Sequence, residues 1–141
     1  MQIHERTVSI ESDGRFDVRD ITPEVTAAIE EMAVDDGIAW VSTPHTSAAL
    51  TMNEPEEKLL WDMQQYFIEH VPPNDGYFHD LDHIERGEQP NAHAHIIASM
   101  IDTDVLTMIR DGDLDMGTWE AYLFFELCGP REREVDVRVI E

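Results

Sequence analysis

Imidazole side chains are the groups of this sequence best suited to chemistry. Seven histidines occur, and five of them are candidates for a shared pocket: His45, His79, His83, His93 and His95. Imidazole is the commonest side-chain ligand of zinc and related ions, and three imidazoles with an open fourth position form a catalytic metal site. His93 and His95 are two residues apart, so a strand would place both on one face. Because no compact motif such as HExxH is present, separate loop and cap histidines remain the alternative.

Two acids stand out from the many by their positions. Glu54 lies just downstream of His45, beside Pro55 at the predicted start of a helix, where helix-dipole stabilisation is the structural alternative. Glu126 lies within the apolar run 122–127. A carboxylate there is costly unless it is paired or bound to a ligand, which makes it a functional candidate. The alternative is an edge-strand position facing water.

Arg131 and Arg133 follow Gly129 and Pro130 in a chain with few cations. Their guanidinium groups could clamp a phosphate or carboxylate through bidentate hydrogen bonds, and pairing with acids of the chain is the alternative. No phosphate-binding P-loop, GxGxxG or GxSxG pattern occurs, and Cys128 has no base beside it in sequence. Nucleotide-dependent phosphoryl transfer and acyl-enzyme chemistry therefore have no support.

Short alternating segments, two amphipathic helical stretches and several late strands must position these groups. Helices early and consecutive strands late predict an α+β fold, a single domain over 1–141 with a largely antiparallel sheet or sandwich and two main helices. The Asp111-Gly112 pair predicts a hairpin turn. The predicted elements are strands at 7–10 and 16–18 joined by a turn at 12–14, a helix capped by Thr22 that runs to about Val34, a strand at 38–42, a helix capped by Asn53 with an apolar stripe over 59–67, a loop at 71–91, and strands at 95–100, 105–109, 119–127 and 135–140.

Charge and composition exclude several classes of partner. The chain has 141 residues and a net charge of -22, which repels nucleic acid and anionic membrane surfaces. No apolar run approaches a membrane span and no signal-peptide core is present, while the one cysteine fits a reducing compartment, so we expect a cytoplasmic protein. Scattered acids beside a single lysine, Lys58, favour adaptation to molar salt over a merely acidic protein of ordinary habitat.

Several motifs occur in an order that resembles one family over essentially the whole chain. The sequence is similar to the YjbQ-like family, also called the secondary thiamine-phosphate synthase family. The motifs that carry the resemblance are HTSAALTMNE from His45, DM from Asp62, YFHD from Tyr77, AHI from Ala94 with ASM from Ala98, and GTW from Gly117 followed by Glu126.

The resemblance implies a compact α+β protein that assembles as a homotrimer with a metal-binding histidine pocket, zinc being the expected ion. It implies a reaction that joins a pyrimidine pyrophosphate to a thiazole phosphate. Phosphoester hydrolysis at the same site, or a trimer that binds metal or ligand without turnover, are the alternatives. Ile97, Asp102 and Glu120 depart from the family pattern, and the loss of positive charge makes a pyrophosphate substrate less well supported here. The residues that match family positions are His45, His79 and His95 as metal ligands and Glu54, Asp62 and Glu126 as catalytic acids. Thr118 of the GTW motif, Arg131 and Arg133 are the expected substrate-binding groups.

Overall fold

Two antiparallel sheets and four helices form the protein. The structure is a computed structural model that describes residues 1–141. One sheet has five strands in the order β1-β8-β3-β5-β6, and the other has three in the order β2-β7-β4. The elements in chain order are β1 Ile3–Glu11, β2 Asp17–Asp20, α1 Thr22–Met32, β3 Gly37–Ser42, β4 Ala48–Asn53, α2 Glu57–His70, α3 Asp80–Arg86, α4 Ala92–Met100, β5 Asp104–Arg110, β6 Asp113–Leu114, β7 Ala121–Glu126 and β8 Glu132–Ile140.

Strand β7 separates two hydrophobic cores. All six of its residues are buried, and alternate side chains face opposite ways. Tyr122 and Phe124 pack into the core shared with α1 and the five-stranded sheet. Leu123 and Phe125 pack into a second core with residues of α4, while α2 contributes partly buried side chains to it. Helix α4, which carries His93 and His95, therefore lies on the far side of β7 from α1.

The predicted α+β class and antiparallel pairing are confirmed, and so is the apolar face of α1. Val25, Ala28, Ile29 and Met32 are all buried, as the helical spacing predicts. The hairpin turn at Asp111-Gly112 joins β5 to β6, with both residues at positive φ (51° and 83°) as such turns require. None of the helices has the length and apolar character needed to cross a membrane.

Several predicted elements are wrong. The strand predicted at 95–100 is the helix α4, β4 was not predicted at all, and the loop at 71–91 contains α3. Strands β1 and β2 do not pair with each other but belong to different sheets. Helix α2 begins after Glu56, whose carboxylate accepts from the amides of Lys58 and Leu59, and not after Asn53, which ends β4. Thr22 is the first residue of α1 and does not cap it.

The outer face of the five-stranded sheet carries an exposed apolar patch flanked by polar side chains such as Arg138, which lies over the Trp40 ring. Ile38 lies opposite Met108, and Trp40 lies opposite Leu106, so these side chains project from one face. Leu106 is 65% exposed and Met108 is 43% exposed. Strand β8 extends the same face through Ile140, which pairs with Ile38. We call Ile38, Trp40, Leu106, Met108 and Ile140 the outer sheet face.

Candidate functional site

Three histidines lie close together, and we call His79, His83 and His95 the imidazole cluster. His79 directly precedes α3, His83 lies in α3, and His95 lies in α4. The His79 ring centroid is 5.0 Å from that of His83 and 5.0 Å from that of His95. The sequence-based prediction placed His79 and His95 in one pocket, and the structure brings both together.

Each ring of the imidazole cluster has one nitrogen fixed by an oxygen acceptor. His95 Nδ1 donates to the Thr46 carbonyl at 3.0 Å, and His83 Nδ1 donates to the His79 carbonyl at 3.1 Å. His79 Nε2 donates to Asn91 Oδ1 at 3.1 Å. A neutral imidazole that donates through one nitrogen keeps a lone pair on the other. The cluster thus offers three such lone pairs, one on each ring.

His45 is engaged by a different segment of the chain. Its Nε2 accepts a hydrogen bond from the Glu134 amide at 2.9 Å, so the lone pair of that nitrogen is used. Burial and then the nearby Arg133 charge lower the pKa of His45, which keeps the ring neutral with its proton on Nδ1. Neither nitrogen of His45 is therefore free to bind a metal ion in this arrangement.

His93 does not share a face with His95, because the segment is helical. Residues two apart on an α-helix project about 200° from one another. His93 points into the protein and is 5% exposed, while His95 is half-buried. The same-face interpretation of this pair is wrong for that reason.

The imidazole cluster does not by itself complete a metal site. Nowhere in the single chain do three or more His, Cys, Asp or Glu side chains come close enough together to hold a metal ion. The donors nonetheless fit zinc chemistry, since they are imidazoles and their second nitrogens are fixed as in metal-binding histidines. His79 and His95 are the two family-matched residues that meet this description.

Glu126 and Arg133 form an ion pair in the protein interior. The Glu126 carboxylate is 0% exposed and accepts from Arg133 at 2.6 Å, with further bonds from Ser12 Oγ and the Cys128 amide. Burial raises the pKa of Glu126, but the hydrogen bonds from Arg133, Ser12 and Cys128 outweigh burial and leave the pKa lowered. Arg133 also donates to Ser47. The geometry therefore supports neither Glu126 as a proton donor to a substrate nor Arg133 as a phosphate clamp.

The other predicted residues do not converge on the imidazole cluster. Arg131 is exposed, and its Nε donates to the Cys128 carbonyl at 2.9 Å. Thr118 is exposed in the segment before β7, and Glu54 is half-buried directly after β4. Asp62 lines an open groove of about 900 Å³ that no histidine lines. The groove lies between β2 and α2, and its walls include Phe16, Val18, Lys58, Leu60 and Trp61.

Two residues at the imidazole cluster were missed by the sequence analysis. Asn91 holds His79, and Asp80 accepts from the amides of Asn91 and Ala92. The position of Asn91 just before an alanine-rich segment was a usable signal for a helix start. Asp80 is part of the YFHD motif that supports the family resemblance, but its role as a cap of α4 depends on burial and on amides eleven and twelve residues away, which no local pattern shows.

The structural class is an α+β domain of two antiparallel sheets, with histidines on the helices beside the smaller sheet. The family model described as "UPF0047 protein YjbQ-like" matches residues 6–141. The chain belongs to this YjbQ-like family, as the motifs in its sequence indicated.

Relatives with the same description occur in archaea and bacteria. A UPF0047 protein of Archaeoglobus fulgidus is 37% identical over 134 residues, covering 94% of this chain and 98% of that protein. The UPF0047 protein YugU of Bacillus subtilis is 33% identical over 136 residues, covering 96% and 98%. A crystal structure of a hypothetical protein from Aeropyrum pernix has a TM-score of 0.90 at 30% identity, covering 97% of this chain and 98% of that one. A structure from Sulfolobus solfataricus, described as a YbjQ-like protein of unknown function, has a TM-score of 0.88 at 29% identity, covering 98% and 96%.

Proposed function

We propose that this protein is a metal-assisted enzyme of the cytoplasm that acts on small phosphorylated metabolites at the imidazole cluster. The observation that carries the proposal is the set of three neighbouring rings, each with one nitrogen fixed by an oxygen acceptor and the other free. Such fixation orients ligating imidazoles and raises their basicity.

His79 and His95 are the proposed ligands from this chain, with His83 beside them and zinc as the expected ion. When bound, a divalent ion supplies Lewis-acid polarisation of a substrate oxygen or a more acidic water. The Thr46 carbonyl and Asn91 Oδ1 hold the two rings in the tautomers that leave His95 Nε2 and His79 Nδ1 free. His45 is left out of the proposed set because its Nε2 already accepts from Glu134.

The finer activity is the joining of a pyrimidine pyrophosphate to a thiazole phosphate. The thiazole nitrogen would bond to the methylene carbon of the pyrimidine, and pyrophosphate would leave with the electron pair of the broken C–O bond. Arg133 is paired with Glu126, and Arg131 is exposed and does not lie at the imidazole cluster, so neither arginine of the predicted pair is placed to bind phosphate there. Phosphate recognition therefore depends on few cations in this chain, and phosphoester hydrolysis at the same site is the nearest alternative.

Metal analysis joined to two assays tests the proposal. The purified protein in molar salt is loaded with Zn²⁺, and its zinc content, thiamine-phosphate formation and phosphatase activity are measured. We expect His79→Ala and His95→Ala to lose the zinc, while His45→Ala and the exposed control His70→Ala keep it. A wild-type protein with no bound zinc would refute the metal site. Bound zinc without product in either assay would instead establish a binding protein.

We further propose that the chain assembles as a homotrimer through the outer sheet face. An exposed apolar patch of this kind on a soluble domain is typical of a protein interface. The sheet presents it in regular register, with Ile38 opposite Met108 and Trp40 opposite Leu106. In a closed symmetric trimer, the patch of each copy would be covered by a neighbouring copy.

Light scattering coupled to size exclusion tests the assembly. We expect the wild-type mass to be three times that of the chain and Leu106→Glu to lower it, because a buried carboxylate without a partner is costly. Leu81→Glu is the matched control, since Leu81 is a comparably exposed leucine on α3. A wild-type monomer, or a trimer that Leu106→Glu leaves intact, would exclude this interface.

A further inference from the structure

One acid of this strongly acidic chain is buried beside the imidazole cluster. Asp80 is 2% exposed and is the first residue of α3. Its Oδ1 accepts from the backbone amides of Asn91 at 3.1 Å and Ala92 at 2.9 Å. These amides belong to the start of α4, where the orphan N–H groups of a helix need acceptors. Asp80 therefore caps α4 from a different helix.

Because Asp80 caps α4, the side chain of Asn91 is free to form a hydrogen bond elsewhere. Asn91 occupies the N-cap position of α4, yet its own side chain makes no capping bond. It accepts instead from His79 Nε2 at 3.1 Å. Asp80 thus holds the backbone of Asn91, and Asn91 holds the ring of the residue that directly precedes Asp80. The loop joining α3 to α4 is closed on itself by these bonds, which fix His79 relative to α4.

The same closure bears on His95. This residue lies three positions into the helix that Asp80 caps, and its Nδ1 reaches the Thr46 carbonyl before β4. A shift of the first turn of α4 would move the His95 ring away from Thr46. The mutual placement of His79 and His95 therefore depends on one carboxylate.

The second carboxylate oxygen of Asp80 takes no part in these bonds. Oδ2 is buried and has no hydrogen-bond partner in the protein, as is also true of His93 Nδ1 and Arg15 Nε. The contacts by which Asp80 positions α4 are therefore those of Oδ1 alone.

We propose that Asp80 is the positioning residue of the imidazole cluster, because its Oδ1 fixes the start of α4 and thereby locks His79 and His95 in their mutual placement. The effect on metal affinity rests on the proposed function. The effect on the ring tautomers does not, because it is a property of the metal-free protein.

Long-range ¹H–¹⁵N spectra of the histidine-labelled, metal-free protein test the assignment. We expect His79 to carry its proton on Nε2 and His95 on Nδ1. Asp80→Ala should convert both rings to tautomer mixtures and weaken Zn²⁺ binding about 10- to 100-fold. Asp80→Asn should preserve both tautomers, because its amide oxygen can still accept from the two backbone amides. Asp82→Ala is the matched control, an exposed acid in the same turn of α3.

Asn91→Ala keeps the test decisive if Asp80→Ala does not fold. It removes the acceptor of His79 and leaves both backbone amides that Asp80 caps, so the tautomer of His79 alone should change. Unaltered tautomers in Asp80→Ala, or an unaltered His79 in Asn91→Ala, would overturn the proposal. Tautomer mixtures in Asp80→Asn equal to those in Asp80→Ala would overturn the proposal as well. If the wild type binds no Zn²⁺ while the variants still show these tautomer changes, only the proposed metal site is refuted.

Discussion

The substitution Glu126→Gln should strongly destabilise the fold. The Glu126 carboxylate accepts from Ser12 Oγ at 2.7 Å, from Arg133 at 2.6 and 2.9 Å, and from the Cys128 amide at 3.2 Å. Glutamine has nearly the same shape but keeps one acceptor oxygen, and its amide nitrogen would face a group that only donates. Arg133, whose side chain is 4% exposed, would be left without its counter-charge.

The expected cost follows from this burial. Removing one partner of a buried ion pair costs about 3–5 kcal/mol, a large share of the roughly 5–15 kcal/mol that stabilises a domain. For a chain of this size each kcal/mol corresponds to about 4 °C, so the midpoint of thermal unfolding should fall by roughly 12–20 °C. The joint variant Glu126→Leu, Arg133→Met should lose less than Glu126→Gln, because it buries no unpaired charge.

Urea unfolding in constant molar salt, followed by circular dichroism, gives the free energy of unfolding of each variant. Glu88→Gln is the control, since the Arg86–Glu88 pair is about half exposed and its loss should leave the midpoint unchanged. The pH dependence is a second check. The pKa of Glu126 is lowered in the folded state, so the unfolded state binds more protons and the stabilisation is lost as the pH falls below its ordinary value of 4.5. A Glu126→Gln variant within about 1 kcal/mol of wild type would refute the reasoning.

Three further predictions concern salt, His45 and Gly129. The unfolding midpoint of the wild type should rise from low to molar KCl, because salt screens the repulsion of a net charge of -22; a flat response would argue against adaptation to high salt. The lowered pKa of His45 means that the unfolded state takes up the proton first, so stability should decline as the pH falls below 6.5, and His45→Gln should flatten that decline in pH-dependent urea titrations. Gly129→Ala should cost about 1–3 kcal/mol in urea unfolding, since its Cβ would lie 2.4 Å from the Gly14 carbonyl oxygen, whereas Gly14→Ala, with nothing nearer than 3.5 Å, should cost little.

Local patterns predicted the fold class well but failed where burial removes periodicity. The segment at 92–100 alternates histidine and alanine before a short apolar run, which resembles a strand, yet its alanines favour a helix and Asp80 caps it from a distance. Strand β4 was missed because Ala48, Ala49 and Leu50 are all buried and show no alternation. Strands β1 and β2 were expected as neighbours because they adjoin in sequence, but each pairs with a strand from the end of the chain.

For the candidate site, the sequence identified residue types and missed their partners. A carboxylate in the apolar run around Glu126 was correctly recognised as costly unless paired. The partner is Arg133, seven residues later. Phosphate binding was the leading interpretation of Arg133, and pairing with an acid of the chain was the alternative. The histidines were recognised as candidate ligands, but the tautomer of each ring depends on Thr46, Asn91 and Glu134. Those contacts come from distant segments, so no local pattern reveals them.

The place of β8 in its sheet has a consequence for how the protein is made. Strand β8 comes after all the other strands of the larger sheet in chain order, yet it lies between β1 and β3, near the centre of that sheet, and the backbones of Gln2 and Glu141 bond to each other at its edge. Until residues 132–140 leave the ribosome, β1 has no partner and β3 has only β5. Contacts of such long sequence separation form slowly. Folding should therefore follow translation, and a nascent chain stalled before β8 should remain sensitive to protease.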